Sequence, residues 1–215
     1  MMKVIQIDPQ YEGFANSYLI VDESTGEGAL IDPGCYLENA QAAVRDSGAA
    51  LKYILLTHGH FDHILGAHSA KELTGAKIVI HPEDEKCLSS EYYSLLTTYP
   101  TEGCELIPEK ADILVNDGDE IKLGETAIKV MHTPGHTPGG VCYIIESGRV
   151  IFSGDTLFHS TAGRTDNIGG DFEKLCSSLK KLIALEGDYT VFPGHNIPTT
   201  LERERTRNFI IRRLK

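Results

Sequence analysis

The order of predicted elements indicates an α/β protein in which two β-sheets pack together with helices on the outside. Strand signals come first, a helix and further strands follow, and strands followed by a helix return in the second half of the 215 residues. Continuous apolar runs indicate strands that are buried on both faces. No low-complexity linker divides the chain, so we predict a single domain over residues 1–215.

The first half is predicted to begin with an antiparallel meander, because three short β-rich segments follow one another at about ten-residue spacing. A helix comes next, with Leu37, Ala40, Ala43 and Val44 on one side. The elements predicted here are strands over residues 3–7, 17–21 and 28–32, a helix over 36–47, a strand over 52–57, a helix over 62–74 and a strand over 76–81.

Residues 82–112 are the least regular part of the chain, and we expect a helix there followed by a loop or a lid over a site. Asp171 is a suitable N-cap for a second amphipathic helix, whose Leu175, Leu179 and Leu182 point inward. The remaining predicted elements are strands over 113–115, 120–123, 126–132, 140–146, 149–154 and 189–194, and helices over 171–184 and 200–214.

The composition argues against several classes of function. Acidic residues outnumber basic ones by 31 to 20, and a net charge of −11 is unfavourable for binding nucleic acid or an anionic membrane. The acids concentrate in residues 83–125, which we interpret as a solvated face. Five cysteines without a C-x-x-C pair indicate reduced thiols. No apolar run is long enough for a signal peptide or a membrane span, so we expect a cytoplasmic protein.

The six residues from His58 to His63 carry the strongest chemical signal in the sequence. His58 and His60 lie two positions apart, so an extended backbone would point both side chains the same way. Asp62 and His63 would begin the next turn and face a second point. Imidazole nitrogens and carboxylate oxygens suit zinc, iron or manganese.

Three further candidate ligands follow apolar strands in the same way. His136, Asp155 and His195 each come directly after a glycine that ends such a run. Side chains at the ends of strands are well placed for binding and catalysis, because the sheet holds them rigidly. Five histidines and two aspartates are enough for two metal ions with a bridging carboxylate, and too many for one closed structural ion.

These motifs together resemble the metallo-β-lactamase superfamily over residues 3–212. TPGHTPGG around His136 and the run FSGDTLFHSTAGRTDNIGGD over 152–171 resemble its glyoxalase II branch, the hydroxyacylglutathione hydrolases. The resemblance implies a four-layer αββα sandwich of two mixed β-sheets with outer helices. It also implies that the site lies at one edge, between the sheets, and that the chain is a short form without the C-terminal helical domain of larger relatives.

The resemblance also implies a role for each ligand. His58, His60 and His136 would hold the first ion, Asp62, His63 and His195 would hold the second, and Asp155 would bridge them. Two divalent ions are expected, with zinc favoured over iron or manganese. Asp32 matches the position of an aspartate that orients a ligand histidine or Thr57. Relatives often have Arg at position 159, where this chain has His159, which leaves the substrate subsite open.

The other polar residues receive structural interpretations. We expect His68 at the surface, His81 at the end of a strand and His132 at a sheet edge. Arg164 and Asp166 are expected to form an ion pair that braces the loop of Asp155.

The predicted function is hydrolysis. Hydroxide activated by two metal ions would attack the carbonyl of a small-molecule acyl thioester, with Asp62 and Asp155 as catalytic residues. A thiolate can leave without a strong general acid, because the pKa of its thiol in solution is about 8.5. No nucleic-acid or membrane partner is expected, and the chain would be a monomer or a homodimer.

Several alternatives remain at this level. A persulfide dioxygenase would hold a single iron through His58, His136 and Asp155. A lactone hydrolase would use the same two-metal chemistry, whereas β-lactam hydrolysis is less expected because no Cys replaces Asp155. A non-enzymatic metal-binding protein is disfavoured, because a closed structural site needs only four ligands.

Overall fold

The predicted αββα sandwich is confirmed in the computed structural model, which describes residues 2–9, 13–34 and 38–214. Two mixed six-stranded sheets face each other, and helices cover the outer face of each. Among these described residues, none of the helices has both the length and the apolar character needed to cross a bilayer.

The first sheet comes from the first half of the chain. Its strands are, in spatial order, β1 (Met2–Ile7), β2 (Ser17–Asp22), β3 (Glu27–Ile31), β4 (Ala50–Leu55), β5 (Lys77–Ile80) and β6 (Ile113–Leu114). Strands β1 to β3 form the predicted antiparallel meander. Strands β3 to β6 are parallel neighbours, so helical connections are needed between them.

The second sheet comes from the second half. Its strands are β7 (Glu120–Leu123), β8 (Thr126–His132), β9 (Val141–Ile145), β10 (Val150–Gly154), β13 (Thr190–Pro193) and β14 (Thr199–Thr200), with a separate hairpin of β11 (Leu157–Phe158) and β12 (Thr161–Ala162). Strands β10 and β13 are parallel. Because β8 and β10 are both antiparallel to β9, strands β8, β10 and β13 all end at the same edge.

The helices lie on the two outer faces. They are α1 (Glu38–Ser47), α2 (Phe61–Ile64), α3 (Ala67–Thr74), α4 (Phe172–Ile183), α5 (Leu201–Arg207) and α6 (Phe209–Leu214). Asp171 caps α4 as predicted, since its carboxylate accepts a hydrogen bond from the backbone N–H of Lys174 at 3.0 Å. Leu175, Leu179 and Leu182 of this helix are fully buried.

Three apolar clusters hold the layers together. The central one lies between the sheets and includes Tyr18, Leu55, Tyr143 and Phe152. The first sheet also packs against α1 and α3, and the second against α4 and α6. Ala40, Ala43 and Val44 of α1 belong to the first outer cluster as predicted, whereas Leu37 lies outside the described residues.

Three predicted helices differ from the observed ones. The segment 62–74 divides into α2 and α3 around Leu65 and Gly66. The segment 200–214 divides at Asn208, whose extended backbone ends α5 and whose side chain accepts the N–H groups of Ile210 and Ile211. Residues 82–112 contain a 3₁₀ turn at Glu85–Ser89 and further turns instead of the expected α-helix.

Candidate metal centre

The topology brings all seven predicted ligands to one edge of the sandwich. His58, His60, Asp62 and His63 follow β4 of the first sheet, and His136, Asp155 and His195 follow β8, β10 and β13 of the second. Two backbone hydrogen bonds join the sheets at this edge. Val141 N donates to Thr57 O at 2.8 Å, and Asn16 N donates to Gly194 O at 2.7 Å. The site therefore forms only when both halves of the chain are packed together.

The first group of ligands consists of His58, His60 and His136. His60 Nδ1 lies 3.1 Å from His58 Nε2 and 2.9 Å from His136 Nε2. All three histidines are buried. Their nitrogens converge on one point, as ligands of a tetrahedral ion do.

The second group consists of Asp62, His63 and His195. Asp62 Oδ2 lies 3.6 Å from His63 Nε2 and 3.1 Å from His195 Nε2. The side chain of His63 is fully buried, whereas that of His195 is 28% exposed. This group therefore opens toward solvent on the side of His195.

Asp155 lies between the two groups. Its Oδ2 is 3.3 Å from His136 Nε2, and its Oδ1 is 3.4 Å from His63 Nε2. Oδ2 also lies 3.7 Å from His195 Nε2, so the carboxylate faces both groups, as a bridging ligand would. The structure brings the seven residues together, and their role as metal ligands stays a prediction.

Between His63 and Asp155, the donor set fits a bound divalent cation better than it fits an empty hydrogen-bonded cluster. His63 Nε2 and Asp155 Oδ1 are buried and have no hydrogen-bond partner among the described residues. A buried polar atom without a partner costs about 1–3 kcal/mol. A cation between the two atoms would satisfy both.

Hydrogen bonds from the far side fix three of the rings with Nε2 directed into the cluster. His63 Nδ1 donates to Asp32 Oδ2 at 2.9 Å, and His136 Nδ1 donates to the carbonyl oxygen of Arg164 at 2.7 Å. His58 Nδ1 donates to Thr57 Oγ1 at 3.2 Å, since the hydroxyl gives its own proton to Asp32. When Nε2 carries no proton, an imidazole held in this way has its lone pair on that atom, where a metal would bind.

The electrostatics differ between the two groups. Burial, together with the neighbouring imidazoles, lowers the pKa of His58 well below its usual value and that of His60 to about 3, so both rings are neutral. Burial also opposes charge on His63, but three carboxylates around it raise its pKa well above the usual value. The second group therefore has excess negative charge to share with a cation.

Asp32 occupies the orienting position predicted for it. Its Oδ1 accepts from Thr57 N at 2.7 Å, and its Oδ2 accepts from Thr57 Oγ1 at 2.6 Å and from His63. The backbone of Asp32 has a φ of 47°, in the left-handed region that Asp tolerates better than most residues. The carboxylate thus fixes a ligand histidine and the start of the ligand loop together.

Two groups that bear on the site were not predicted from the sequence. The backbone carbonyl of Arg164 orients His136. The sequence predicted a role only for the side chain of Arg164, and its ion pair with Asp166 is present at 2.6 Å. Asp84 belongs to the acidic region interpreted as solvated, yet it is only 1% exposed and bonds to both ligand loops. The backbone N–H groups of Gly59 and Gly139 need an acceptor, but the sequence does not show which residue supplies it.

The remaining histidines lie outside the cluster. His68, expected at the surface, is half-buried, with its Nδ1 2.6 Å from Glu109. His81 and His132 approach each other and Glu83, but their rings are stacked with centroids 4.0 Å apart and planes at 10°. Nitrogen lone pairs of parallel rings lie in parallel planes, so they do not converge on one ion. His159 lies beside Ser160, with 3.4 Å between Nδ1 and Oγ.

A cavity of about 530 Å³ opens over the cluster and is lined by His60, Asp62, His136, Asp155 and His195. Phe61, Leu95 and Phe158 supply apolar walls, and Arg164 supplies a cation. Tyr99, from the irregular segment 82–112, reaches across to Asn167 with a hydrogen bond of 3.1 Å. That segment thus forms part of the wall of the cavity, as the expectation of a loop over a site requires.

Comparison with known proteins agrees with this architecture. The family model of the metallo-beta-lactamase superfamily matches residues 11–195. Hydroxyacylglutathione hydrolase GloC of Haemophilus influenzae is 33% identical over 206 residues, which cover 95% of this chain and 96% of GloC.

Solved structures show the same fold over almost the whole chain. BLEG-1 B3 metallo-beta-lactamase aligns with a TM-score of 0.88 and 30% identity, covering 98% of this chain and 99% of its own. TTHA1623 in a di-iron-bound form aligns with a TM-score of 0.80 and 31% identity, covering 95% of this chain and 98% of its own. ETHE1 from Myxococcus xanthus aligns with a TM-score of 0.78 and 28% identity, covering 96% of this chain and 83% of its own. The chain therefore belongs to the metallo-β-lactamase superfamily.

Proposed function

We propose that this protein is a dinuclear metallo-hydrolase that cleaves a small-molecule thioester of the hydroxyacylglutathione type. The observation that carries the proposal is the position of Asp155, whose carboxylate lies within 3.7 Å of His136 in the first group and of His63 and His195 in the second. A single ion would use only one of these groups. The similarity to GloC supports the substrate class.

Two ions are proposed, one held by His58, His60 and His136 and the other by Asp62, His63 and His195, with Asp155 shared. Such ions supply Lewis acidity toward an acyl oxygen and lower the pKa of a bound water toward neutrality. Zinc is proposed first, with iron and manganese as alternatives, because His and Asp ligands suit all three metals.

The protein's own groups would position the substrate and the attacking water. The side chain of Asp62 is 14% exposed at the cavity, where its carboxylate can accept a hydrogen bond from water and orient it toward the acyl carbon. Phe61, Leu95 and Phe158 keep bulk water away from the acyl group. Arg164 offers a positive charge to an anionic thioester, although Asp166 also binds its guanidinium.

The test combines a metal count with an assay. We expect the purified protein to contain two metal ions per chain and to hydrolyse S-lactoylglutathione. His58→Ala should lower kcat/KM by at least about 100-fold, because it removes a first-site ligand. His68→Ala is the matched control, since His68 is a half-buried histidine paired with Glu109 outside the cluster, and it should retain native activity. Full hydrolysis by His58→Ala would contradict the mechanism.

A second candidate is the mononuclear-iron persulfide dioxygenase. It is favoured by the position of His136, whose ring centroid lies 4.9 Å from that of His58 and whose Nε2 lies 3.3 Å from Asp155, and by the fold shared with ETHE1. One iron per chain and oxygen uptake with glutathione persulfide would support this candidate instead. The similarity to BLEG-1 adds a third assay, hydrolysis of a chromogenic cephalosporin, and turnover of that compound alone would replace the thioester proposal.

A further inference from the structure

The two loops that carry the first ligand group belong to different sheets. His58 and His60 flank Gly59 after β4, whereas His136 precedes Gly139 in the turn after β8. Since His60 Nδ1 lies 3.1 Å from His58 Nε2 and 2.9 Å from His136 Nε2, a small shift of one loop relative to the other would separate these nitrogens. Some contact must therefore hold the loops in register.

Asp84 makes one such contact, in addition to the hydrogen bond from Val141 N to Thr57 O. Its Oδ2 accepts a hydrogen bond from Gly59 N at 3.1 Å, and its Oδ1 accepts one from Gly139 N at 2.7 Å. The residue is only 1% exposed, so water does not compete for either oxygen. Each ligand loop thus donates one backbone N–H to the same buried carboxylate.

The backbone comes close enough to Asp84 only because both loop positions are glycines. A Cβ on Gly139 would lie 2.7 Å from Asp84 Cγ, and a Cβ on Gly59 would collide with Cys87, three residues after Asp84. The segment from Asp84 to Cys87 therefore packs directly against both loops.

We propose that Asp84 is a positioning residue for the first metal site, which sets the separation of His58 and His60 from His136. It touches neither the substrate nor the ions, and it acts through the backbone of the two loops. The second group would not depend on it, because Asp32 orients His63 and no hydrogen bond from Asp84 reaches that group among the described residues. The inference rests on the proposed metal centre, whatever the substrate.

Asp84→Asn tests the proposal with almost no change of shape. The amide replaces one acceptor oxygen by an NH₂ group, which then faces a backbone N–H and repels it. Groups that orient metal ligands typically change metal affinity by about 10- to 100-fold. We expect Asp84→Asn to weaken one of two Co²⁺ binding events by that factor and to leave the other within about threefold of the native value.

Visible absorption identifies the affected site. The Co²⁺ bands that Asp84→Asn loses at limiting metal should match those lost in His58→Ala and differ from those lost in His195→Ala. Asp22→Asn is the matched control, because Asp22 is also a buried aspartate that accepts hydrogen bonds from backbone N–H groups of two segments. It lies at the end of β2 that is away from the ligand cluster. This variant should lower the melting temperature of the apoprotein without changing either Co²⁺ affinity.

Equal weakening of both Co²⁺ sites, or unchanged affinity at both, would overturn the proposal. If Asp84→Asn does not fold, Gly139→Ala serves instead, because its new methyl group displaces the same carboxylate. The titration needs no substrate. Failure to hydrolyse S-lactoylglutathione would therefore count against the proposed reaction, and only the Co²⁺ result bears on Asp84.

Discussion

At the scale of single residues, the spacing of the ligands follows the local backbone. His60 has φ −72° and ψ 148°, an extended conformation directly before α2, and its side chain points into the first group with that of His58. Asp62 and His63 fall on the first turn of α2 and face the second group. Six consecutive residues can therefore serve two ions, because the backbone changes from extended to helical between them.

Asp32→Asn should weaken binding of the second ion more than that of the first, because Asp32 contacts His63 directly and reaches His58 only through Thr57. The amide can keep one hydrogen bond to Thr57 but cannot accept from both Thr57 and His63 with the same strength. Loss of such an orienting group typically costs about 10- to 100-fold in metal affinity. A Co²⁺ titration should show this loss in the event assigned by His195→Ala, the reverse of the pattern expected for Asp84→Asn. Unchanged affinity would show that packing alone holds His63.

The buried thiols should be unreactive in the folded protein. Burial raises the pKa of Cys87 to about 12 and that of Cys142 to about 11, and the thiolate is the reactive form. With Ellman's reagent at pH 8, both should react at least about 100-fold more slowly than the half-buried Cys176, as followed by peptide mass spectrometry. In denaturant the rates should become similar, and fast modification of Cys87 in the folded state would contradict its burial.

At the scale of elements, glycines before the ligands allow close packing that other residues would block. Gly154 has φ +46° and lies against Thr57, so that β10 can approach the ligand loop of the other sheet. Gly135 has φ +137° and lies against the backbone of Leu175 in α4. The glycine that precedes each of these ligands is thus required by its contacts as well as by its turn.

Glu204 of α5 connects the C-terminal helices to the second sheet. Its buried carboxylate accepts hydrogen bonds from Thr199 Oγ1 at 2.6 Å, Ser160 N at 2.8 Å and Asn208 Nδ2 at 2.9 Å. Glu204→Gln should lower the free energy of unfolding by about 2 kcal/mol at pH 7, measured by urea denaturation. Glu202→Gln, an exposed change on the same helix, should cost less than about 0.5 kcal/mol.

The effect of Glu204→Gln should depend on pH. Burial opposes ionisation, but the hydrogen bonds outweigh it and lower the pKa of Glu204 below its usual value. A group with a lowered folded-state pKa contributes stability above its unfolded pKa of about 4.3 and loses it as the pH falls through the folded value. The difference between native protein and variant should shrink as the pH decreases from 5 to 3. A constant difference would mean that shape and not charge matters.

At the scale of the whole molecule, the ligands belong to both sheets. Four come from the first sheet and three from the second, so bound ions would connect the two halves of the sandwich. Apolar packing between the sheets, with Tyr18, Tyr143 and Phe152 at its centre, forms without any metal. We therefore expect an apoprotein that is folded but less stable.

Metal removal should lower the melting temperature. A ligand at 100 times its Kd stabilises the folded state by about 2.7 kcal/mol, which corresponds to about 5–10 °C for a chain of this size. Chelation followed by differential scanning calorimetry should show that decrease, and Zn²⁺ should restore the native value. An apoprotein of unchanged melting temperature would argue against ions that link the sheets.

The sequence by itself determined most of the elements, the order of the two halves and the seven residues of the candidate site. These follow from local properties: apolar periodicity for strands and helices, turn residues at their ends, and ligand chemistry repeated after four strands. The boundaries of the helices were less predictable. The break at Asn208 depends on side-chain hydrogen bonds to Thr161 and Glu204, which local propensity does not contain.

Only the tertiary structure shows how close the residues of the two expected groups lie to one another and what holds them in place. Nothing in the sequence around Asp84 distinguishes it from the acids beside it, and its burial depends on two glycine loops that lie 25 and 55 residues away in the chain. His136 bonds to the backbone carbonyl of Arg164, which every residue type carries, so the identity of residue 164 could not predict this bond. Such contacts are set by the packing of one sheet on the other, because long-range neighbours are fixed only when the chain has folded.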